Sequence, residues 1–575
     1  MNNKQIAETL ERIADLLEIL GESAFRANAY RNAARRIESL TEDAADIHAR
    51  GELRGIAGIG ESLAETISEL ISAGRSDVLD ELTSQVPPGL LDLLNVPGLG
   101  PKRARTIHQA LGVATLAELE KAARSGRLED VPGFGKKTAD SIVANLGRMK
   151  KWAARRLLVD ALPVVDDILA ALRSEPGIDR AEIGGSVRRW RDTVGDLDLV
   201  ATGPDLSAIL DAFTRLPQVE KVEAHGEKKA VALLESNLPC DLMVVPPESF
   251  GAALLTATGS EAHSIRLREL AKARGWLLNQ YGVYDAAGVA LGGRSEEDMY
   301  AALGMAFVPP EMREDRGEVQ AALEGRLPAL VSADDLKGDL HMHSTYSDGA
   351  ASIEAMARAC MHRGYAYMAI TDHSQGLGVA NGLKVDRLVK QAEEVRQLNS
   401  ELAPFRILHG TEVNIRADGT LDYDDETLAM LDWVVASVHG SFGRSREEQT
   451  ARVIRAIESP YVNLVAHPTG RILNRREGID VDMDEIIRAA ARTGTALEIN
   501  SGPDRLDLND IQARSARLAG AWICVDSDAH HPDHLTWVDL GITVARRAWC
   551  ESRNILNAQP LEALLEFVSR KRASA

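Results

Sequence analysis

Cysteine is scarce in this sequence. Its 575 residues hold four, Cys240, Cys360, Cys524 and Cys550, none in a CxxC spacing. That excludes a disulfide framework and a thiolate zinc site, and it predicts a reducing compartment. Long apolar runs are missing too, since none approaches the roughly 18 residues of a membrane span. The opening stretch, MNNKQIAETLERIADLLEIL, reads as an amphipathic helix with acids on its polar face, not as a secretory leader, so a cytoplasmic protein with no membrane partner is expected. Positive charge is in deficit: 66 Lys+Arg against 86 Asp+Glu leave a net −20. Taken alone, that argues against binding to nucleic acid, because phosphate repels acid. What is present, 45% hydrophobic and 26% charged residues, is a globular composition and excludes a disordered chain or a fibre. At roughly 100–200 residues per domain, the length implies about three to five domains.

Residues 1–80 read as helices, with apolar residues at helical spacing in Ile6, Leu10, Ile13 and Leu17. A threefold repeat overlaps and follows them. Gly58-Ile59-Gly60, Gly98-Leu99-Gly100 and Gly133-Phe134-Gly135 open amphipathic helices in the strings IAGIGESLAETI, VPGLGPKRARTI and VPGFGKKTADSI. A Gly-x-Gly turn exposes backbone N–H groups and lets another backbone approach closely. The helix behind it adds its positive end, which makes a seat for one nucleic-acid phosphate. Local charge supports this reading. From Lys102 to Arg156, 13 Lys/Arg face 5 Asp/Glu, a net +8 in 55 residues. The expectation is sequence-independent binding of DNA backbone at Gly58, Gly60, Gly98, Gly100, Lys102, Gly133, Gly135, Lys136 and Lys137. The strings resemble helix-hairpin-helix motifs.

From about Lys151 strand-like segments alternate with helices as in an α+β domain. The segment EIGGSVRRWRDTVGDLDLV is dense in chemistry. Asp196 and Asp198, two apart on a strand, put both carboxylates on one side. Apolar neighbours flank Asp198, so uncompensated charge there would cost several kcal/mol, and divalent cations are the economical solution. Asp241, in PCDLMVV, offers a third carboxylate from another strand. Three carboxylates around two Mg²⁺ or Mn²⁺ ions suit in-line phosphoryl transfer. Gly184-Gly185-Ser186 supplies donors for phosphate, and Arg188 and Arg189 supply charge for a triphosphate.

Residues 1 to about 318 resemble the family X DNA polymerases, on the strength of GGSVRR, GDLDL, CDLMVV and LLTATGSEAHSIRLRELA. The resemblance implies that Asp196, Asp198 and Asp241 are catalytic metal ligands. It also implies that Gly185, Ser186, Arg189, Gly195, Gly259 and Ser260 hold the incoming nucleotide. The departures have consequences. Thr256-Ala257 stands where the family often has Tyr-Phe, so weak sugar discrimination is expected. Ser264 replaces a base-contacting Asn, and Pro239 and Met243 stand near the third carboxylate where Arg is common. Relatives with deoxyribose-phosphate lyase activity use a lysine in the first hairpin's helix, where this chain has Ser62 and Thr66. The only lysine between Met1 and Pro101 is Lys4. Little lyase activity is therefore expected. Arg26, Arg31, Arg35 and Arg36 are expected to meet DNA ends.

Glu311–Asp335 is charged with weak periodicity and reads as a linker. From Gly338 to Arg570 short apolar strands alternate with helices, with His, Asp or Glu at nearly every strand's C-terminal end, as in a βα barrel with its reactive groups at that end. Eight of the 14 histidines lie at 341, 343, 373, 439, 467, 530, 531 and 534, most at expected strand ends. Imidazole and carboxylate donors without thiolates suit Zn²⁺, Mn²⁺ or Fe. The pattern DLHMHSTYSDG … ITDHS … GTEVNI … SVHG … AHPTGR … SDAHH resembles the PHP (polymerase and histidinol phosphatase) family. That resemblance implies a distorted barrel and up to three ions, Mn²⁺ or Zn²⁺. Their ligands would be His341, His343, Asp348, His373, Glu412, His439, His467, Asp528 and His530, with Glu412 bridging. Arg471 is expected to grip a substrate phosphate, while His531 and His534 carry no role.

The combination looks like the bacterial family X polymerases of the PolX group, which carry a C-terminal PHP domain. The expected fold is multidomain: all-α hairpin domains, an α+β nucleotidyltransferase palm with thumb, and a distorted (β/α) barrel. The expected divisions are 1–82 helical with a hairpin, 83–150 hairpin fingers, 151–250 palm, 251–318 thumb, 319–336 linker and 337–575 PHP. The resemblance implies a DNA-repair enzyme, expected at the nucleoid, and a monomer is the default expectation. Its polymerase would fill gaps from dNTPs at primer 3′ ends, and its PHP domain would digest 3′→5′. A repair nuclease whose polymerase half is mainly a DNA clamp is a second reading. A small-molecule phosphatase is a third, against which the hairpins and the palm triad argue.

Overall fold

A computed structural model describes residues 3–38, 44–56, 58–87, 89–96, 99–153 and 155–573. The chain forms two compact units, Met1–Ala153 with Leu377–Gly382, and Ala154–Gly376 with Leu383–Ala575. Among the described residues no helix is long and apolar enough to cross a membrane.

The first unit is all helix. In helix Asn3–Leu20 the apolar stripe of Ile6, Leu10, Ile13 and Leu17 is fully buried. The hairpins share one local design. Ile59 N–H donates to the Ile56 carbonyl at 3.0 Å, Leu99 to Val96 at 2.9 Å and Phe134 to Val131 at 3.0 Å. Each of these central apolar residues is buried and anchors its turn. Gly58 and Gly133 sit at φ +89° and +85°, where a side chain is strained.

The second unit holds a five-stranded sheet in the order Arg180–Ile183, Leu197–Thr202, Pro239–Val244, Lys229–Leu234, Val219–His225. Leu199, Cys240, Leu242 and Val244 bury one face against helices Leu158–Ser174 and Leu206–Thr214. Helices Phe250–Thr258 and Glu261–Ala273 and a three-stranded sheet follow. Within 319–336, Ala321 and Ala322 pack in one apolar cluster with Trp549, and Val331 N–H bonds the Cys550 carbonyl at 2.9 Å.

Residues from Gly338 onward form seven parallel strands in sequential order, Gly338–Asp339, Tyr367–Ile370, Arg406–Asn414, Trp433–Ser437, Leu464–Val465, Ala496–Asn500 and Ile523–Asp526. A bridge between Met342 and Ala529 brings the first and last strands together, with His343 N–H on the Ala529 carbonyl at 2.9 Å. The strands are buried throughout, as parallel strands covered by helices must be. The barrel is thus nearly closed, and its C-terminal rim gathers the loops that carry the histidines.

Candidate active sites

In the palm, strands Leu197–Thr202 and Pro239–Val244 run parallel with Asp198 paired to Asp241, so both carboxylates leave the sheet side by side. Asp196 lies just ahead of the first strand. A cavity of about 470 Å³ opens over Asp196 and Asp198, lined by Gly185, Ser186, Arg189, Thr256, Ala257, Gly259 and Ser264 and also by Arg155, Arg191, Glu261 and Arg268. Close approach explains the glycines. A Cβ on Gly185, at φ +60°, would come within 2.2 Å of Asp198 Oδ2, and one on Gly184 within 3.0 Å of Ala257. The Ser186 hydroxyl is buried without a hydrogen-bond partner among the described residues, so it is free to donate to a phosphate oxygen.

Burial, then the adjacent Asp196 and Asp241, push the Asp198 carboxyl up to about 6, while Lys229 and Arg189 pull the other way. A proton would therefore compete with any cation at Asp198. At limiting Mg²⁺, nucleotide addition is expected to fall as pH drops through about 6. The midpoint should move to lower pH as Mg²⁺ rises, and a midpoint indifferent to Mg²⁺ would contradict the competition.

Several expectations need correcting. Arg188 does not face the cavity. It bonds Thr258 Oγ1 at 2.7 Å and the buried Glu296 at 2.6 Å, a carboxylate it shares with the buried Arg313. Arg189 does face it, held by the Thr258 carbonyl and by Glu314 at 3.1 Å. Gly195 and Ser260 lie outside the cavity lining, and the Ser260 hydroxyl caps helix Glu261–Ala273 by accepting from His263 N–H. Pro239 and Met243 do not leave Asp241 without a cation, because Lys229 Nζ reaches its Oδ2 at 2.5 Å from the neighbouring antiparallel strand. The signal for Lys229 was the hairpin register between 229–234 and 239–244.

At the barrel rim Glu412 stands at the centre. His373 Nδ1 lies 2.8 Å from it, His467 Nε2 3.2 Å, His439 Nε2 3.3 Å, His341 Nε2 3.5 Å and His343 Nε2 3.6 Å. Asp528 Oδ1 is 3.1 Å from His343, and Asp348 is 3.5 Å from both His373 and His530. All nine expected ligands therefore converge. Donor atoms lie within 4.8 Å of one another in three groups: His343, Asp348, His373 and His530; His341, His343 and Asp528; and His373, Glu412 and His439. Glu412 Oε2, His341 Nε2 and His343 Nδ1 are buried and lack a hydrogen-bond partner among the described residues. Such buried, unpartnered donors could serve a cation.

Burial disfavours charge at the rim, yet Glu498, Asp528 and Glu412 raise His341 well above its ordinary pKa. Glu412 and Asp348 likewise lift His373 to about 10 despite its burial. Burial with His530 and His373 nearby lowers His343 to about 4. The backbone is strained at two ligands, with His467 at φ +28° and Asp528 at φ +53°. Outer partners fix the imidazoles. His341 Nδ1 is 2.6 Å from Glu498, His439 Nδ1 2.7 Å from Asn414 Oδ1 and His530 Nδ1 2.8 Å from the Asp528 carbonyl. Glu498, in the string TALEIN, was readable only as a strand-end acid. Arg471 does not grip a substrate. It bonds Asp192 at 2.9 Å and the Arg505 carbonyl at 2.8 Å, because its loop abuts the palm. His534 stacks on Trp537 at 3.8 Å and His531 is half-exposed.

In the hairpin unit, Gly60, Gly100 and Gly135 have ordinary φ and nothing near the place of a Cβ, so the protein itself does not demand glycine there. An approaching phosphate backbone would. Lys136 and Lys137 open the helix after the third hairpin, Lys102 lies at the start of the second, and Gly98 lies outside the described residues. The first hairpin differs: Glu61 follows Gly60 and pairs with Arg54 at 3.2 Å. Arg31 is spent on Asp15 at 2.8 Å and Glu18 at 3.0 Å, so it does not meet a DNA end. The side chain of Arg35 lies outside the described residues. Thr66 is buried and donates to the Ser62 carbonyl at 3.1 Å, so neither expected position supplies an amine. Borohydride trapping of a deoxyribose-phosphate end is expected to give no strong adduct within residues 1–100.

Four families match the chain: a helix-hairpin-helix domain over residues 1–76, a SAM-like helix-hairpin-helix tandem over 90–148, the DNA polymerase beta thumb over 253–314 and the PHP domain over 339–502. Asp528 and His530 fall beyond the PHP match, and the geometry brings them into the cluster. The chain is 39% identical to the DNA polymerase/3′-5′ exonuclease PolX of Bacillus subtilis over 99% of its own length and 100% of that protein's. It is 27% identical to DNA polymerase lambda of Rattus norvegicus over 54% of the chain and 56% of that protein. It is also 28% identical to a probable phosphatase of Syntrophotalea carbinolica over 40% of the chain and 95% of that protein.

Proposed function

The chain belongs to the PolX family of DNA polymerase/3′-5′ exonucleases, and on that premise we propose how its two sites divide the work. It extends primer 3′ ends from dNTPs in gap-filling repair and digests 3′→5′ through its PHP domain. Both activities depend on divalent metal. We assign polymerisation to the palm carboxylates and digestion to the barrel rim, in a monomer working on the nucleoid.

In the palm, Asp196, Asp198 and Asp241 would hold Mg²⁺ or Mn²⁺, which when bound supplies activation of the primer hydroxyl and neutralises charge at the transferring phosphorus. The chain's own groups do the rest. Ser186 and the Gly184-Gly185 backbone receive the triphosphate, with Arg189 beside them. Arg155, Arg191 and Arg268, against the single Glu261, add positive charge to the cavity lining. Lys229 keeps Asp241 in place beside Asp198. Gly259 closes on the nucleotide from the thumb side, next to Thr256 and Ala257.

Those last two residues carry a specificity prediction. Among the described residues, no aromatic ring lines the cavity to collide with a 2′-hydroxyl. Discrimination between dNTP and rNTP on a gapped duplex is expected to be weak, within about a hundredfold, the level reached by pockets that reject only bulk. A preference of about 10⁴ or more would contradict it.

At the rim, the nine ligands would hold up to three Mn²⁺ or Zn²⁺ ions, which when bound supply an activated water and neutralise charge on the phosphodiester. Glu498 and Asn414 fix the orientation of His341 and His439. The observation that carries the proposal is that two separate acid clusters lie in one compact unit, one in a nucleotide-sized cavity and one at the barrel rim. The test is to follow one labelled primer in a gapped duplex with and without dNTPs. Lengthening with dNTPs and shortening without them is expected. Shortening under both conditions would favour the nuclease-with-clamp reading.

A further inference from the structure

The palm's triphosphate loop is held from the barrel. Arg547 ends helix Val538–Arg547 with its side chain only 1% exposed. Its Nη1 donates to the Arg189 backbone carbonyl at 2.7 Å and to Glu314 at 3.2 Å, and its Nη2 to Asp510 at 2.7 Å. Glu314 also accepts from Arg189 Nε at 3.1 Å. Arg189 is therefore gripped twice, at its carbonyl by Arg547 and at its guanidinium by an acid that Arg547 partly neutralises. Arg471, in the loop that follows the rim residue His467, adds a second tie through Asp192 at 2.9 Å.

We propose that Arg547 is a positioning residue for nucleotide addition: a side chain of the nuclease barrel sets the place and the free charge of Arg189 in the palm. The proposal rests on Arg189 receiving the triphosphate. Its physical basis is competition for Glu314. With Arg547 present, three guanidiniums share that carboxylate, Arg189 at 3.1 Å, Arg547 at 3.2 Å and Arg191 at 3.8 Å, and Arg189 keeps positive charge for the incoming triphosphate. Without Arg547, Glu314 is left to Arg189 at 3.1 Å and the more distant Arg191 at 3.8 Å, so Arg189 bears more of its charge, and the loop carbonyl loses its donor. Both effects weaken ground-state binding of the triphosphate and leave the metal carboxylates untouched, so they fall on KM rather than kcat.

The experiment is single-nucleotide insertion on a gapped duplex by the full-length protein, with exonuclease measured on the same preparations. Arg547→Ala is expected to raise KM for dNTP about tenfold, equivalent to ~1.4 kcal/mol, with kcat within about twofold and digestion unchanged. Adding Glu314→Gln to it is expected to recover part of that loss, since the competing acid is gone. If Arg547 acted only as glue, the double variant would be worse. Arg547→Lys, which keeps charge but cannot reach three acceptors, is expected to fall between wild type and Ala, and it decides the matter if the Ala variant does not fold. Arg189→Ala separates the two premises. If its KM is unchanged, the triphosphate reading fails. If its KM rises while Arg547→Ala and Arg547→Lys match wild type, the present proposal is overturned.

Discussion

Asp198→Ala is expected to lower nucleotide addition by about 10³-fold while leaving 3′ digestion at the wild-type rate. Asp198 is the middle carboxylate of the palm. It is paired in register with Asp241, two residues from Asp196, and it lies close enough to Gly185 that no side chain fits between them. Removing it takes away one wall of the metal seat and one wall of the triphosphate loop together. About 10²–10³ is the cost of deleting a single group that stabilises transition-state charge, and Asp198 has two such duties. Digestion is spared because no barrel ligand contacts this carboxylate among the described interactions. Gel-resolved single-nucleotide insertion beside digestion of the same primer measures both. Retention of more than about a tenth of the insertion rate would place the chemistry elsewhere, since even one lost donor costs more.

His343→Ala is expected to abolish Mn²⁺-dependent digestion and spare insertion. This ligand belongs to two of the three donor groups, and its ring stacks on His373 at 4.4 Å and on His530 at 4.3 Å. Its loss opens a gap in the middle of the rim, not at its edge. A drop of about 10³-fold or more is expected, because metal charge and metal-held geometry are lost together. Asp528→Ala should behave alike, since Asp528 Oδ1 lies 3.1 Å from His343 and its Oδ2 accepts from Asn500 at 3.0 Å. Digestion that persists in both variants would put the nuclease outside the barrel. Loss of insertion as well would point to a folding defect, which thermal unfolding of the same protein would reveal.

Residue type at strand ends made much of both sites legible. A histidine or acid at the C-terminal end of a buried parallel strand has few structural reasons to be there, so a metal cluster was legible at the rim, while the set of nine ligands came from the PHP resemblance. The palm acids stood out for the same reason, being charges on apolar strands. The −20 net charge was misleading because charge is not uniform along the chain, with 13 Lys/Arg against 5 Asp/Glu between Lys102 and Arg156, where two hairpins lie. Partnership across the chain was not legible. Arg188, Arg31 and Arg471 read as phosphate ligands, yet each is committed to an acid brought to it by tertiary structure, Glu296, Glu18 or Asp192. Lys229 was missed because its value depends on hairpin register, and Arg547 because its acceptors come from distant segments. Sequence periodicity reports which face of a helix is buried, but not which charge will be waiting there.

The central claim is that one chain carries two independent metal sites acting on the same DNA end. The most direct test is a 5′-labelled primer in a gapped duplex, incubated with Mn²⁺ and all four dNTPs in the presence of Asp198→Ala. Only bands shorter than the primer are predicted. Bands longer than the primer, at wild-type intensity, would contradict it.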